Sequence, residues 1–189
     1  MIKVGIILAS TRPGRNGEAV ARWVLENASQ RTDAEYELVD LQSFNLPLLD
    51  EPLPPSFGQY TQSHTKTWSA KINSLDAFVF VTPEYNHSLP GALKNAIDFL
   101  YGEWNNKSAG FVSYGTAGGA RAVESLRLIM AELQVADVRS QVLLSLFTDF
   151  KDFREFQPSP VHLPALNTML DQVVAWGEAL KEIRKVPVA

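Results

Sequence analysis

Cysteine is missing altogether from the 189 residues, which removes disulfides, thiolate nucleophiles, iron–sulfur clusters and cysteine-ligated zinc. Histidine is nearly missing. The three present, His64, His87 and His162, form no HExxH and no close pair, so no metal site is expected. Positive charge is not in excess. With 17 Lys+Arg against 21 Asp+Glu the net charge is −4, which argues against nucleic acid as a partner and leaves room for a local anion site. Long apolar runs are lacking too. The first, Val4 to Ala9, is far shorter than the ~20 residues a membrane span needs. No small-residue cleavage site follows it. A soluble, cytoplasmic protein with no membrane partner is the expectation.

What is present suits a packed domain. The chain is 46% hydrophobic and 10% aromatic, and at this length a single domain over residues 1–189 should bury ~70% of its unfolded surface. Internal repeats and low-complexity tracts are absent. Short apolar runs alternate with longer amphipathic stretches. Lys3–Ala9 reads as a strand buried on both faces, followed by a helix over Gly17–Gln30 with Val20, Trp23, Val24 and Ala28 on one side. Further strands are expected at Tyr36–Asp40, Ala77–Thr82, Ser108–Ser113 and Val138–Leu144, and helices at Leu89–Leu100, Ala120–Gln134 and Leu166–Lys185. Strand alternating with helix implies a parallel sheet covered on both faces. Five strands in that pattern suit a flavodoxin-like three-layer α/β sandwich of order 2-1-3-4-5, which binds ligands beyond the carboxyl ends of its strands. Two stretches fall outside the alternation. These are the Pro-rich Gln42–His64 and the Phe-rich Ser145–Pro164, each readable as a functional or partner-contacting loop or as a flap over a sheet edge.

In that sheet order three unusual loops meet at one edge. The first, Ser10–Gly17, offers two hydroxyls, two guanidinium groups and backbone N–H groups at a helix N-terminus. Preorganised donors with a favourable dipole are what a phosphate needs. The stretch is neither a GxxxxGK loop nor a GxGxxG turn. Read plainly, it is a Gly/Pro turn with Asn16 as an N-cap and solvated arginines. The second loop, Thr82–Ser88, places Tyr85 where a planar ring can lie, with N–H groups near Asn86 and His87 at its edge; the plain alternative is a capped turn. The third, Ser113–Arg121, carries three glycines that allow positive φ and a close backbone approach, or simply make a flexible turn.

Together these segments resemble the NAD(P)H-dependent FMN reductase family. The matching text is Ser-Thr-Arg-Pro-Gly-Arg at 10–15, Pro-Glu-Tyr-Asn-His-Ser at 83–88 running into Pro90–Ala96, and Gly-Thr-Ala-Gly-Gly-Ala-Arg at 115–121. The middle motif is the most specific. The resemblance implies an FMN phosphate gripped by Ser10, Arg12, Arg15, Asn16 and Gly17. It implies a flavin ring bordered by Pro83, Glu84, Tyr85, Asn86 and His87 on one side and by Ser113, Tyr114, Gly115 and Gly118 on the other. One departure is Ala9, where the family usually has Gly; its methyl is expected to narrow the approach to the phosphate. The implied reaction is a ping-pong cycle. NAD(P)H, with NADPH expected over NADH, passes hydride to N5 of FMN, and a small-molecule acceptor such as FMN or a quinone then takes its place. The chemistry belongs to the cofactor, so no catalytic side chain is expected. The resemblance also implies a homodimer or homotetramer, with Tyr101–Trp104, the Gln42–His64 loop and the Phe-rich tract as candidate contacts. Two rival readings use the same scaffold: a flavodoxin-type electron carrier without NAD(P)H oxidase activity, and a flavin-free interaction protein.

Overall fold

Strand β1 (Ile2–Leu8) is buried at every position but Lys3, as befits a strand with neighbours on both sides and helices on both faces. A computed structural model describes residues 1–185, so the last four residues of the expected 1–189 domain lie outside the described residues. β1 pairs in parallel with β2 (Ala34–Asp40) and with β3 (Ala77–Pro83); β3 pairs with β4 (Lys107–Gly115), and β4 with β5 (Val135–Ser145). The order is 2-1-3-4-5, as the sequence pattern predicts.

The period-two alternation of β1 divides the core. Val4, Ile6 and Leu8 face helices α1 (Gly17–Ala28) and α5 (His162–Ile183). Ile7 and Ala9 face α2 (Ser63–Asn73), α3 (Gly91–Asp98) and α4 (Ala120–Glu132). Three layers result. Ala9 is therefore a core residue with no exposed surface, and its methyl does not narrow the loop that follows, contrary to expectation. Trp104 is likewise fully buried among Trp68, Phe78 and Phe80. This removes Trp104, the last residue of Tyr101–Trp104, from any subunit contact.

Two elements are not picked out by hydrophobic periodicity. Helix α2 buries only Thr65, Trp68 and Ile72, so its apolar stripe is two large side chains at i and i+4. Within the Phe-rich tract, β6 (Phe150–Lys151) and β7 (Glu155–Phe156) form a small antiparallel hairpin. Phe150 packs inward from it against Tyr114, with ring centroids 6.0 Å apart. The Pro-rich stretch runs through two short 3-10 turns, Leu41–Phe44 and Pro55–Phe57.

At the amino edge of the sheet, Lys107 is 3% exposed and donates to the Ile72 carbonyl at 2.7 Å. Its ammonium lies 5.5 Å from the Phe78 ring centroid. Burial, reinforced by repulsion from Arg184, pulls its pKa down to about 7 against attraction from Asp76 and Glu103. Between that value and the unperturbed 10.5 the unfolded chain holds a proton that the folded chain has released, so stability rises with pH across this window. Lys107→Met is expected to flatten that rise. Urea midpoints at neutral pH and near pH 9 check it, and an unchanged difference between wild type and variant at the two pH values contradicts it.

Candidate functional site

A cavity of about 550 Å³ opens at the carboxyl edge of the sheet. Loop one contributes Arg12, Pro13, Gly14, Arg15 and Asn16, loop two Pro83, Glu84 and Tyr85, and loop three Tyr114 and Gly115. The three loops converge as expected. A fourth wall, from the tract after β5, was not foreseen as part of the site: Leu146, Phe153 and Arg154.

Loop one is held by its own side chains. Arg15 is largely buried, with its side chain 9% exposed. Its terminal nitrogens donate to both Asp40 carboxylate oxygens, at 2.8 and 2.5 Å, and to the Ser10 carbonyl at 2.6 Å. A bidentate pair of this kind fixes orientation as well as distance. Arg15 thus ties the loop to the end of β2. Arg12 is exposed, and its guanidinium has no partner among the described residues; only its N–H is engaged, on Ser10 Oγ at 3.4 Å. Asn16 stands at the N-cap of α1 but does not cap with its side chain. It donates instead to the Phe153 carbonyl at 2.7 Å, joining loop one to the hairpin. The N–H groups of the first turn of α1 have no intrahelical acceptor and lie against this loop.

Tyr114, at the end of β4, reaches under that turn. Its hydroxyl is buried beside Ser10 and Gly17 yet meets neither in hydrogen-bonding geometry, and it has no partner. Burial, with Tyr85 close by, raises its pKa well above the phenol range, against favourable contacts from Ser10 and Gly17. Gly17 has to be glycine here, because a Cβ would stand 2.6 Å from the Tyr114 oxygen. Ser10, fully buried, shares a hydrogen bond with the Tyr85 hydroxyl at 2.9 Å.

Loop two makes a tight reversal. Tyr85 and Ser88 exchange backbone hydrogen bonds at 3.0 and 3.1 Å. Asn86 and His87 between them have φ of 48° and 73°, as the two central residues of a type I′ turn require. It is a hairpin turn and caps no helix. Their two N–H groups have no backbone acceptor. Both residues are exposed and lie outside the main cavity; His87 instead lines a neighbouring one of about 320 Å³ with Arg121 and Leu128. Glu84 accepts from the Arg121 N–H at 3.0 Å and from its guanidinium, which staples loop two to the start of α4. Burial works against the charge, but these donors outweigh it and hold Glu84 below the usual carboxylate range.

In loop three, Ser113 donates to the Gly118 carbonyl at 2.7 Å. Gly118 and Gly119 have φ of 66° and 76°, and a Cβ on Gly119 would meet Ser113 at 2.6 Å. Ser113 and Gly118 therefore brace the wall from behind, while Tyr114 and Gly115 form its surface. The fourth wall hangs on Asp149, which is 1% exposed. Its carboxylate accepts from the N–H groups of Ser145 and Ser159 and from Thr148, and lies 2.8 Å from His162 Nε2. Only the unusual length of the tract hinted at this wall.

The chain matches the family model described as NADPH-dependent FMN reductase over residues 2–149. It is 40% identical over 159 residues to an NAD(P)H-dependent FMN reductase of Nectria sp, covering 79% of each chain. It is 42% identical over 149 residues to an NAD(P)H-dependent FMN reductase of Schizosaccharomyces pombe, covering 78% of this chain and 74% of that one. Among solved structures, the flavoenzyme NAD(P)H:(acceptor) oxidoreductase FerB of Paracoccus denitrificans superposes with a TM-score of 0.74 at 22% identity, over 95% of this chain and 98% of that one. That likeness is one of fold.

A buried hydroxyl without a partner costs about 1–3 kcal/mol. Tyr114→Phe is therefore expected to leave the Tm of the ligand-free protein unchanged or raise it. A drop of several degrees in differential scanning calorimetry would mean that the hydroxyl is already satisfied without a ligand.

Proposed function

The chain belongs to the NADPH-dependent FMN reductase family and is an NAD(P)H-driven FMN oxidoreductase, and from that premise we propose how its cavity holds the cofactor. The phosphate lies in loop one, against Arg12, Asn16 and the first-turn N–H groups at Gly17, with Ser10 as the floor and Arg15 as the brace that keeps the loop in shape. The observation that carries this reading is the buried, unpartnered Tyr114 hydroxyl beside Ser10 and the Gly17 N–H. The Tyr114 hydroxyl and the Gly17 N–H have hydrogen-bonding capacity unspent there, and a phosphate or ribityl oxygen answers it. The donor set fits an anion: free N–H groups at a helix start, an unpaired guanidinium, and no unneutralised carboxylate, since Glu84 is bound to Arg121.

The flavin ring borders Pro83, Glu84 and Tyr85 on one side and Tyr114 and Gly115 on the other. Asn86 and His87, outside the cavity, form the turn that follows Tyr85, and Ser113 and Gly118 support loop three from behind. FMN held by these residues would supply the hydride-transfer chemistry between NAD(P)H and a second acceptor. The protein's part is to position and to favour negative charge; loop-three N–H groups near the start of α4 do the latter. No side chain has to be a nucleophile. We place the two half-reactions in one ping-pong site, with NADPH as donor and FMN or a quinone as acceptor, in a cytoplasmic protein whose 189 residues work as one FMN-binding domain. Among the described residues no helix is long and apolar enough to cross a membrane.

The stretch between β2 and α2 supports a reading as homodimer or homotetramer. It is pinned by Glu51, which accepts from Thr61 and Gln62, and by Asn95, which bonds Leu49 and Pro47. Yet it displays Leu48 at 84% and Phe57 at 62% exposure. A held loop that presents apolar side chains suits a second copy of the chain.

The purified protein, supplied with FMN if colourless, should show a flavin band that bleaches on anaerobic addition of NADPH. A bound flavin that refuses the hydride would indicate an electron carrier, and no flavin binding would refute the reading. Arg12→Gln should weaken FMN binding by about ten- to a hundred-fold, the worth of one charge-assisted hydrogen bond, and leave riboflavin binding unchanged. Tyr114→Phe should weaken FMN while sparing the fold. For assembly, Leu48→Glu with Phe57→Glu should yield monomers in sedimentation velocity, and an unchanged sedimentation coefficient would exclude this loop from the interface.

A further inference from the structure

A phosphate monoester brings about −1.5 to −2 charges at neutral pH, and loop one is short of cations to meet it. Of its two arginines, Arg15 is committed to Asp40 through both terminal nitrogens and is nearly buried. Arg12 alone remains. A second guanidinium lines the same cavity: Arg154, at the tip of the β6–β7 hairpin. Its side chain is exposed and makes no ion pair among the described residues, although Asp152 stands two positions away; the charges of the hairpin stem, Lys151 and Glu155, pair with each other at 3.9 Å.

The hairpin is built to present that residue. Arg154 N–H bonds the Lys151 carbonyl at 3.0 Å, closing a turn whose central residues Asp152 and Phe153 have φ of 52° and 58°. An aromatic side chain in this region is held there at a cost. The turn is fastened at both ends. Asn16 bonds the Phe153 carbonyl at 2.7 Å from loop one, and Phe150 packs on Tyr114 from below. The strained tip and the phosphate loop are thus in direct hydrogen-bonded contact.

We propose that Arg154 is a second guanidinium for a phosphate monoester in this cavity, so that the hairpin clamps the ligand against loop one. This rests on the FMN reading above and extends it. The 5′-phosphate of FMN is the group already placed in loop one; the 2′-phosphate of NADPH has the same chemistry and is the other source.

The test compares wild type, Arg154→Gln, Arg154→Lys and the distant exposed control Arg139→Gln. FMN and riboflavin are titrated into flavin-free protein and followed by flavin fluorescence, and KM is measured for NADPH and NADH on FMN-loaded protein. Arg154→Gln should lose about ten- to a hundred-fold in FMN affinity and nothing in riboflavin affinity. Arg154→Lys should recover part of the loss, and Arg139→Gln should match wild type. In wild type, FMN but not riboflavin should protect the peptide bond after Lys151 from trypsin. A raised KM for NADPH but not for NADH, with FMN affinity intact, would assign Arg154 to the 2′-phosphate. The clamp is overturned if Arg154→Gln matches wild type in all four measurements while Arg12→Gln still weakens FMN. Failure of wild type to bind FMN would overturn the flavin reading, and the clamp with it.

Discussion

Tyr114 is the side chain against which the carboxyl edge of the sheet is assembled. It leaves β4 with 5% of its surface exposed and passes under the first turn of α1, close enough that residue 17 can carry no side chain. Its hydroxyl lies by Ser10 at the end of β1, and its ring receives Phe150 from the hairpin at 6.0 Å. Its carbonyl accepts the Glu84 N–H at 3.1 Å, which sets the start of loop two. Three segments far apart in the chain, loop one, loop two and the hairpin, are therefore positioned against one residue. Because interiors are close-packed and transmit small shifts, the shape of the cavity is bound to this packing. The hydroxyl, left without a partner among the described residues, is the local cost of that packing.

The charges of the site fall into two groups with different work. Arg15–Asp40 and Arg121–Glu84 are partly buried pairs that fix backbone. Each joins one loop to a neighbouring element, and each cancels its own charge locally. Such pairs contribute orientation more than net stability. Arg12 and Arg154 make no ion pair among the described residues and line the same cavity. Separating bracing charges from recognising charges lets the cavity be electropositive in a chain whose net charge is −4. Arg15 also holds loop one in shape without a ligand, and a preorganised loop loses less ordering entropy on binding.

The sheet was legible in the sequence because its central strands are buried on both faces and read as largely apolar runs without period-two alternation. Ala77–Pro83 and Lys107–Gly115 are buried throughout, and strand order followed from the alternation. Helix α2 was not legible. Its burial rests on Trp68 and Ile72, and two positions do not make a period. The three loops were found from composition, but composition does not say which way a side chain turns. Arg12 and Arg15 are alike in sequence, and only the position of Asp40 at the end of β2 separates them. Ala9 is a similar case: which face of β1 it occupies decides whether its methyl meets the phosphate loop or the core. The fourth wall was hidden for another reason. Its cohesion comes from one carboxylate gathering backbone N–H groups, an arrangement that leaves no hydrophobic pattern.

That arrangement has a consequence for how the hairpin behaves. Burial works against the charge on Asp149, but the N–H groups of Ser159 and Ser145, with His162 and Thr148, outweigh it and hold its pKa below the usual carboxylate range. A group depressed in the folded state contributes stability that is complete above its unfolded pKa and is lost only as pH falls toward the folded value. At neutral pH the root of the hairpin is therefore fully fastened. Its tip is different: Asp152 and Phe153 lie at positive φ, and Phe147 and Phe153 meet each other edge-on at 5.5 Å while both remain exposed. A rigid root with a strained, solvent-facing tip confines any rearrangement to a few residues around Phe153 and Arg154. Those residues border the cavity, and the Asn16–Phe153 hydrogen bond ties them to loop one. The tract between β5 and α5 thus joins a firmly anchored wall to a strained tip that loop one holds through the Phe153 carbonyl.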